Sequence, residues 1–226
     1  MLLDPGLFTS ALFRLGVTGQ LAQQIALGGT MIALPIFLQM VLEYSAMGAG
    51  LSIAPLSLSM FAIALLAGKR AGQRRPAGII RTGFVLLLIG IAALLPIVPH
   101  AESGWALFVP LVVAGCGLGL LVSQLNNYTL SPVSEERVSE AAGVNSAAGS
   151  FGLSFGLAFA GAIMLATLSF AFTNLADSSD VLSPAEQDKV ARTLEDDAEI
   201  MSNAALEELL VDQPEDVQAE IIRINT

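Results

Sequence analysis

Five stretches of the chain run 20 residues or more without a charged side chain: 15–42, 44–68, 82–101, 103–134 and 141–176. A membrane-spanning helix needs about 20 such residues, and one charge at the bilayer centre costs about 2.5–3.5 kcal/mol on insertion scales. The pattern therefore predicts spans near 17–40, 50–68, 80–98, 105–126 and 150–173. The fourth interval is longer than a bilayer, so Gln124, Asn126 and Asn127 are expected to reach the headgroups. Ala141 to Ser150, small and polar, is expected to start the last helix at the interface. The fold class that follows is all-α: a polytopic membrane helix bundle over residues 1–173, with an acidic helical segment over 174–226.

Composition agrees with this reading. The chain is 54% hydrophobic and 13% charged, with a mean hydropathy of +0.70. Soluble domains carry about 45–50% apolar and about 25% charged residues. An ordinary soluble enzyme is excluded, and pI ≈ 4.4 argues against a nucleic-acid partner. A single cysteine, Cys116, cannot build a disulfide framework or a thiolate metal site, and neither a metal nor a cofactor is expected.

Charge changes the picture only when it is divided along the chain. Residues 1–173 carry a net +1 and residues 174–226 a net −11, which together give the −10 of the whole chain. Lys69, Arg70, Arg74, Arg75 and Arg81 crowd one short loop, which places that loop in the cytoplasm. Arg14 agrees by parity, and the loops holding Glu43 and Glu102 contain no lysine or arginine. The expected topology in the plasma membrane has the N-terminus inside and the acidic segment outside. Residues 1–13 lack a basic n-region, so no cleavable signal peptide is expected, and Leu7 and Phe8 form an amphipathic lead-in. In the acidic segment, Ser183-Pro184-Ala185-Glu186 reads as an N-cap followed by a helix over about 184–201. Asn203 and Pro214 mark the starts of two shorter helices.

Two glycine strings mimic catalytic or cofactor motifs. Gly152-Leu153-Ser154-Phe155-Gly156 matches the G-x-S-x-G nucleophile pattern, which needs a strand-to-helix elbow and a histidine base. Here it lies inside an apolar helix, and the sole histidine, His100, is in an outside loop. Gly115-Cys116-Gly117-Leu118-Gly119 lacks the spacing of a dinucleotide loop. Gly152 with Gly156, and Gly115 with Gly119, read instead as small-x-x-x-small faces for close helix packing. Asn127-Tyr128-Thr129 is a glycosylation sequon that parity places in the cytoplasm, so it is read as chance.

Amides within the spans are the polar signal. Gln20, Gln24 and Gly28 share one helical face, and Gln23 with Thr30 another; Asn126 and Asn127 end the fourth span. Two readings stay open: hydrogen bonding between helices, or the lining of a substrate path. No Asp, Glu, Lys, Arg or His lies deep in a span, which argues against an intramembrane enzyme or a proton relay within this chain.

Several stretches together resemble a known family. Leu3-Asp4-Pro5-Gly6-Leu7-Phe8, Leu34-Pro35-Ile36-Phe37-Leu38-Gln39, Tyr44-Ser45-Ala46-Met47-Gly48-Ala49-Gly50 and Pro55 look like the C-terminal half of a major facilitator superfamily transporter. The fourteen-helix drug:proton antiporter branch is the nearest resemblance. Gly68, Arg70, Gly72, Arg74 and Arg75 are similar to that superfamily's cytoplasmic loop signature, with Lys69 where an aspartate is usual. Ser134-Glu135-Glu136-Arg137 and Ala141-Ala142-Gly143-Val144-Asn145-Ser146 resemble the start of the thirteenth helix, with Gly149-Ser150 standing where many relatives have Arg-Gln. The resemblance implies proton-coupled efflux of small amphipathic organic compounds, with a lipid bilayer and an N-terminal transporter half as partners. It implies that Gln20, Gln24 and Asn126 form one wall of the path, that the arginines latch the cytoplasmic side, and that this chain does not transport alone. The alternative is a partner-dependent or remnant membrane subunit whose acidic segment binds something outside.

Overall fold

The computed structural model describes residues 5–69 and 75–177. Five long helices follow one another along the chain: α1 (Ala11–Ile36), α2 (Ala46–Lys69), α3 (Pro76–Ile97), α4 (Phe108–Leu130) and α5 (Val138–Asp177). No strand occurs among the described residues, and all five helices are long and apolar enough to cross a membrane. The fold is a polytopic helical bundle. Arg70, Gly72, Arg74 and the acidic segment from residue 178 onward lie outside the described residues.

Local chemistry sets the ends. Ser10 caps α1, its Oγ accepting the Phe13 N–H at 3.4 Å, so α1 begins at Ala11 rather than near residue 17. The lead-in Pro5–Thr9 is a 3₁₀ turn held by Arg14, which donates to the carbonyls of Phe8 (2.7 Å) and Thr9 (3.3 Å). Leu7 from this turn is buried with Phe13 and Ala141. Pro35 cannot donate into the α1 ladder, and a π turn follows at Phe37–Val41. Glu43, with φ 53°, then ends the span in a left-handed conformation that few non-glycine residues adopt. Pro76 opens α3 at a position where its missing N–H has no helical partner to lose.

The fifth helix differs most from its expected bounds. It starts at Val138 and runs 40 residues, about 60 Å at 1.5 Å per residue. The Ala/Gly/Ser-rich stretch before residue 150 continues the helix because it packs: Ala141 and Asn145 are both buried.

Helix α4 is the centre of the bundle. Half of its membrane-crossing window is buried, against 11–17% for the other four helices. Its Leu111, Leu118, Leu121 and Leu125 meet Leu34 and Leu38 of the α1 region, Leu56 of α2 and Leu87 of α3 in one core. Its alternate glycines explain how two helices approach from opposite sides. Positions 115 and 119 share a face, and position 117 lies about 200° around the helix. A Cβ on Gly119 would lie 2.5 Å from the Met60 carbonyl, and one on Gly115 would collide with Leu56 O and Ser59 Oγ, all on α2. A Cβ on Gly117 would instead lie 2.6 Å from Gly83 O on α3.

The second close seam joins α1 to α5. A Cβ on Gly152 would lie 2.7 Å from Leu21 O, one on Gly156 would collide with Ile25 O, and one on Gly28 would lie 2.5 Å from Leu153 O. Residue numbers rise together across this seam, so α1 and α5 run parallel. Across α1 and α4 they run opposite, with Gly16 on Thr129 and Gly19 on Leu125. The start of α1, the end of α4 and the start of α5 therefore share one end of the bundle.

Candidate functional site

The amide residues gather where α1, α4 and α5 meet, toward the side that holds Arg14 and Arg137. Gln20 and Gln24 lie against α5: their Nε2 atoms are 3.1 and 3.7 Å from where a Cβ on Gly149 would sit. Gln23 lies one turn beyond Gly19, on the α1 stripe that faces α4, and is only 3% exposed. Asn126 accepts a 3.0 Å hydrogen bond from Asn145 Nδ2, which ties α4 to α5. Asn127 is exposed. The structure thus brings Gln20 and Gln24 to one helix seam, Gln23 to a second, and Asn126 to a third.

Two further buried amides carry little sequence signal. Gln124, expected near the headgroups, is 3% exposed inside the bundle, and Asn145, in a run of Ala, Gly and Ser, is 4% exposed. Gln23 Oε1, Gln124 Nε2 and Asn145 Oδ1 are buried without a hydrogen-bond partner. Such atoms are costly in an apolar interior, about 1–3 kcal/mol each. Gln23 and Asn145 therefore leave two unpartnered acceptors on α1 and α5, and Gln124 leaves one unpartnered donor on α4.

A separate concavity of about 660 Å³ lies at the opposite end of the bundle, between α2 and the segment leading into α4. Tyr44, Ser52, Leu58, Ser59, Trp105 and Phe108 are among its walls. The Tyr44 hydroxyl accepts the Gly104 N–H at 3.1 Å, which fastens the turn before α4 to the start of α2. A smaller cavity of about 190 Å³ lies between α1 and α2, beside Thr30 and Pro35. Neither cavity shows as a periodic pattern, because turn residues build the larger one and a proline bend borders the smaller.

The other sequence candidates fall as follows. Ser154 is an exposed residue in the middle of α5, with no strand-to-helix turn around it, and His100 sits in a 3₁₀ turn after α3. Arg75 is the exposed residue before α3, and Gly68 is near the end of α2 with open space around it.

The sequence profile described as Major Facilitator Superfamily matches residues 2–157. The chain belongs to this superfamily. Over 168 residues it is 32% identical to relatives provisionally named multidrug resistance protein MdtD, from Yersinia pestis (strain Pestoides F) and Yersinia pseudotuberculosis serotype O:1b (strain IP 31758). The match covers 72% of this chain and 35% of each relative. The chain thus spans about a third of the length of these relatives. No solved structure matches it. Membership of a transporter superfamily, with five apolar helices, makes this a multi-pass membrane protein of a transporter family.

Proposed function

We infer that the chain supplies the C-terminal portion of a drug-efflux transporter, exporting small amphipathic organic compounds in exchange for protons. The observation that carries this reading is the 168-residue match to the MdtD relatives, over a bundle of five helices long and apolar enough to cross a membrane. Transporters of this superfamily rock two halves about a midplane site, so one half forms only one wall. Gln20, Gln24 and Asn126 are the proposed wall, and Gln23 and Asn145 add unpartnered amide atoms on α1 and α5. Proton coupling is assigned to the partner half, because the described spans hold no Asp, Glu, Lys, Arg or His at mid-depth. The arginine loop between α2 and α3 is proposed as cytoplasmic, in the plasma membrane, with the acidic segment outside.

The test is efflux of a fluorescent drug from cells lacking their own pumps. The 226-residue chain alone is expected to leave accumulation unchanged. Joined to the N-terminal half of an MdtD relative it is expected to lower accumulation, and Gln20→Leu with Gln24→Leu is expected to reverse that at least tenfold. Export by the chain alone overturns the half-transporter reading. Unchanged accumulation in the joined protein, when it reaches the membrane, overturns the efflux reading.

A further inference from the structure

The groove between α2 and the start of α4 has a definite length, apolar walls and a polar mouth. No charged side chain lines it, and its volume of about 660 Å³ falls within the range of small-molecule sites, about 300–1,000 Å³. Along α2 it runs from Gly48 to Ser59, about 16 Å at 1.5 Å per residue. Half of a hydrocarbon core about 30 Å thick is about 15 Å. The groove therefore begins near the start of α2 and reaches about as deep as one leaflet.

Its open donors sit at the mouth. Deeper in, Ser52 and Ser59 donate their hydroxyl hydrogens to the carbonyls of Gly48 and Leu56 on their own helix, so neither offers a donor to the groove. At the mouth, the Tyr44 hydroxyl accepts the Gly104 N–H and donates to no described residue. The Trp105 indole N–H likewise makes no hydrogen bond among the described residues, and Trp105 is 80% exposed. Tyrosine and tryptophan, apolar at one end and polar at the other, settle at the level of lipid head groups.

The groove also continues a surface that faces outward along the span. Leu51 and Leu58 on its wall, with Phe61 and Leu65 beyond it, lie within about 80° of one another around α2, and each is at least half exposed. Only 11% of the membrane-crossing window of α2 is buried. In a membrane-spanning bundle such a stripe meets hydrocarbon, and the groove opens from that stripe. A free fatty acid would bring a carboxylate to walls that hold no cation, whereas an ester lipid brings neutral carbonyls to two open donors.

We propose that this groove seats one acyl chain of a diacyl phospholipid from the leaflet at the start of α2, its ester carbonyls accepting from Tyr44 and Trp105. The site lies away from the amide wall, and its occupation by lipid does not depend on the export reading.

Trp105 is the chain's sole tryptophan, so its fluorescence reports on the mouth of the groove. The intact 226-residue chain is placed in nanodiscs of ether-linked phospholipid, which lacks the carbonyls, with a small fraction of ester-linked phospholipid brominated on its acyl chains. Quenching is expected to correspond to a three- to tenfold enrichment of the brominated lipid at Trp105, about the factor of one hydrogen bond. In nanodiscs of ester-linked phospholipid with the same head group, quenching is expected to fall back to the mole fraction. Tyr44→Phe is expected to reduce the enrichment, and an enrichment that survives it overturns the role of the hydroxyl. Quenching at the mole fraction in both backgrounds overturns the site, leaving general contact with lipid. No quenching in either background overturns it too, because protein then covers Trp105. Stronger enrichment of a brominated free fatty acid than of the phospholipid overturns the lipid class.

Discussion

Gly156 and Gly143 lie on the same helix and carry opposite expectations. A side chain at Gly156 meets the backbone of Ile25, whereas around Gly143 there is open space. Gly156→Leu forces α1 and α5 apart and is expected to destabilise by about 1–3 kcal/mol or more, the range for overpacking. Gly143→Ala relieves a glycine in mid-helix and is expected to stabilise by about 0.5–1 kcal/mol. Reversible unfolding in mixed micelles measures both, and equal effects at the two positions count against the seam. The sequence displays Gly152 and Gly156 at the spacing that close packing uses. It does not display what they meet, because the partner carbonyls belong to a helix more than a hundred residues upstream. The same holds for Gln124: its burial comes from the packing of other helices around α4, which the sequence does not display.

Among elements, the link between α4 and α5 rests on few groups, and the Asn126–Asn145 bond is one of them. A double-mutant cycle with alanine at both positions is expected to give a coupling near 0.6 kcal/mol, with about 1.7 kcal/mol as the upper range for such bonds in membranes. A coupling of zero would show that the bond adds nothing to the packing around it. The number and order of the helices were legible, because a charge-free run of about 20 residues has few fates besides a span. The ends were less so. Ser10 moves the start of α1 outward by capping it, and Ala141 draws the start of α5 back to Val138 by burying itself against Leu7 and Phe13. Hydropathy alone carries neither effect. The aromatic groove was not legible at all, since Tyr44 and Gly104 are brought together by a tertiary contact between two turns.

At the scale of the molecule, the alternating direction of the helices fixes which ends share a side, and the charge of the arginine loop is the ground for the proposal that this side is cytoplasmic. With Cys116 replaced by serine, a cysteine at Gly68 is expected to react with a membrane-impermeant maleimide only after the cells are opened. One at Glu102 is expected to react in intact cells. Labelling of both positions from the same side would overturn the proposed topology. The central place of α4 has a consequence for biogenesis. Helices α2 and α3 each pack against α4, and contacts between the two themselves are at most slight among the described residues. Synthesis delivers both to the membrane before their common partner exists. A ribosome that stalls ahead of Phe108 leaves α1, α2 and α3 without the helix that covers the glycine faces of Gly16, Gly83 and Gly90. Assembly is thus gated by the arrival of one late helix, and substitutions in Gly115, Gly117 or Gly119 are expected to act on cellular yield before they act on anything the mature protein does.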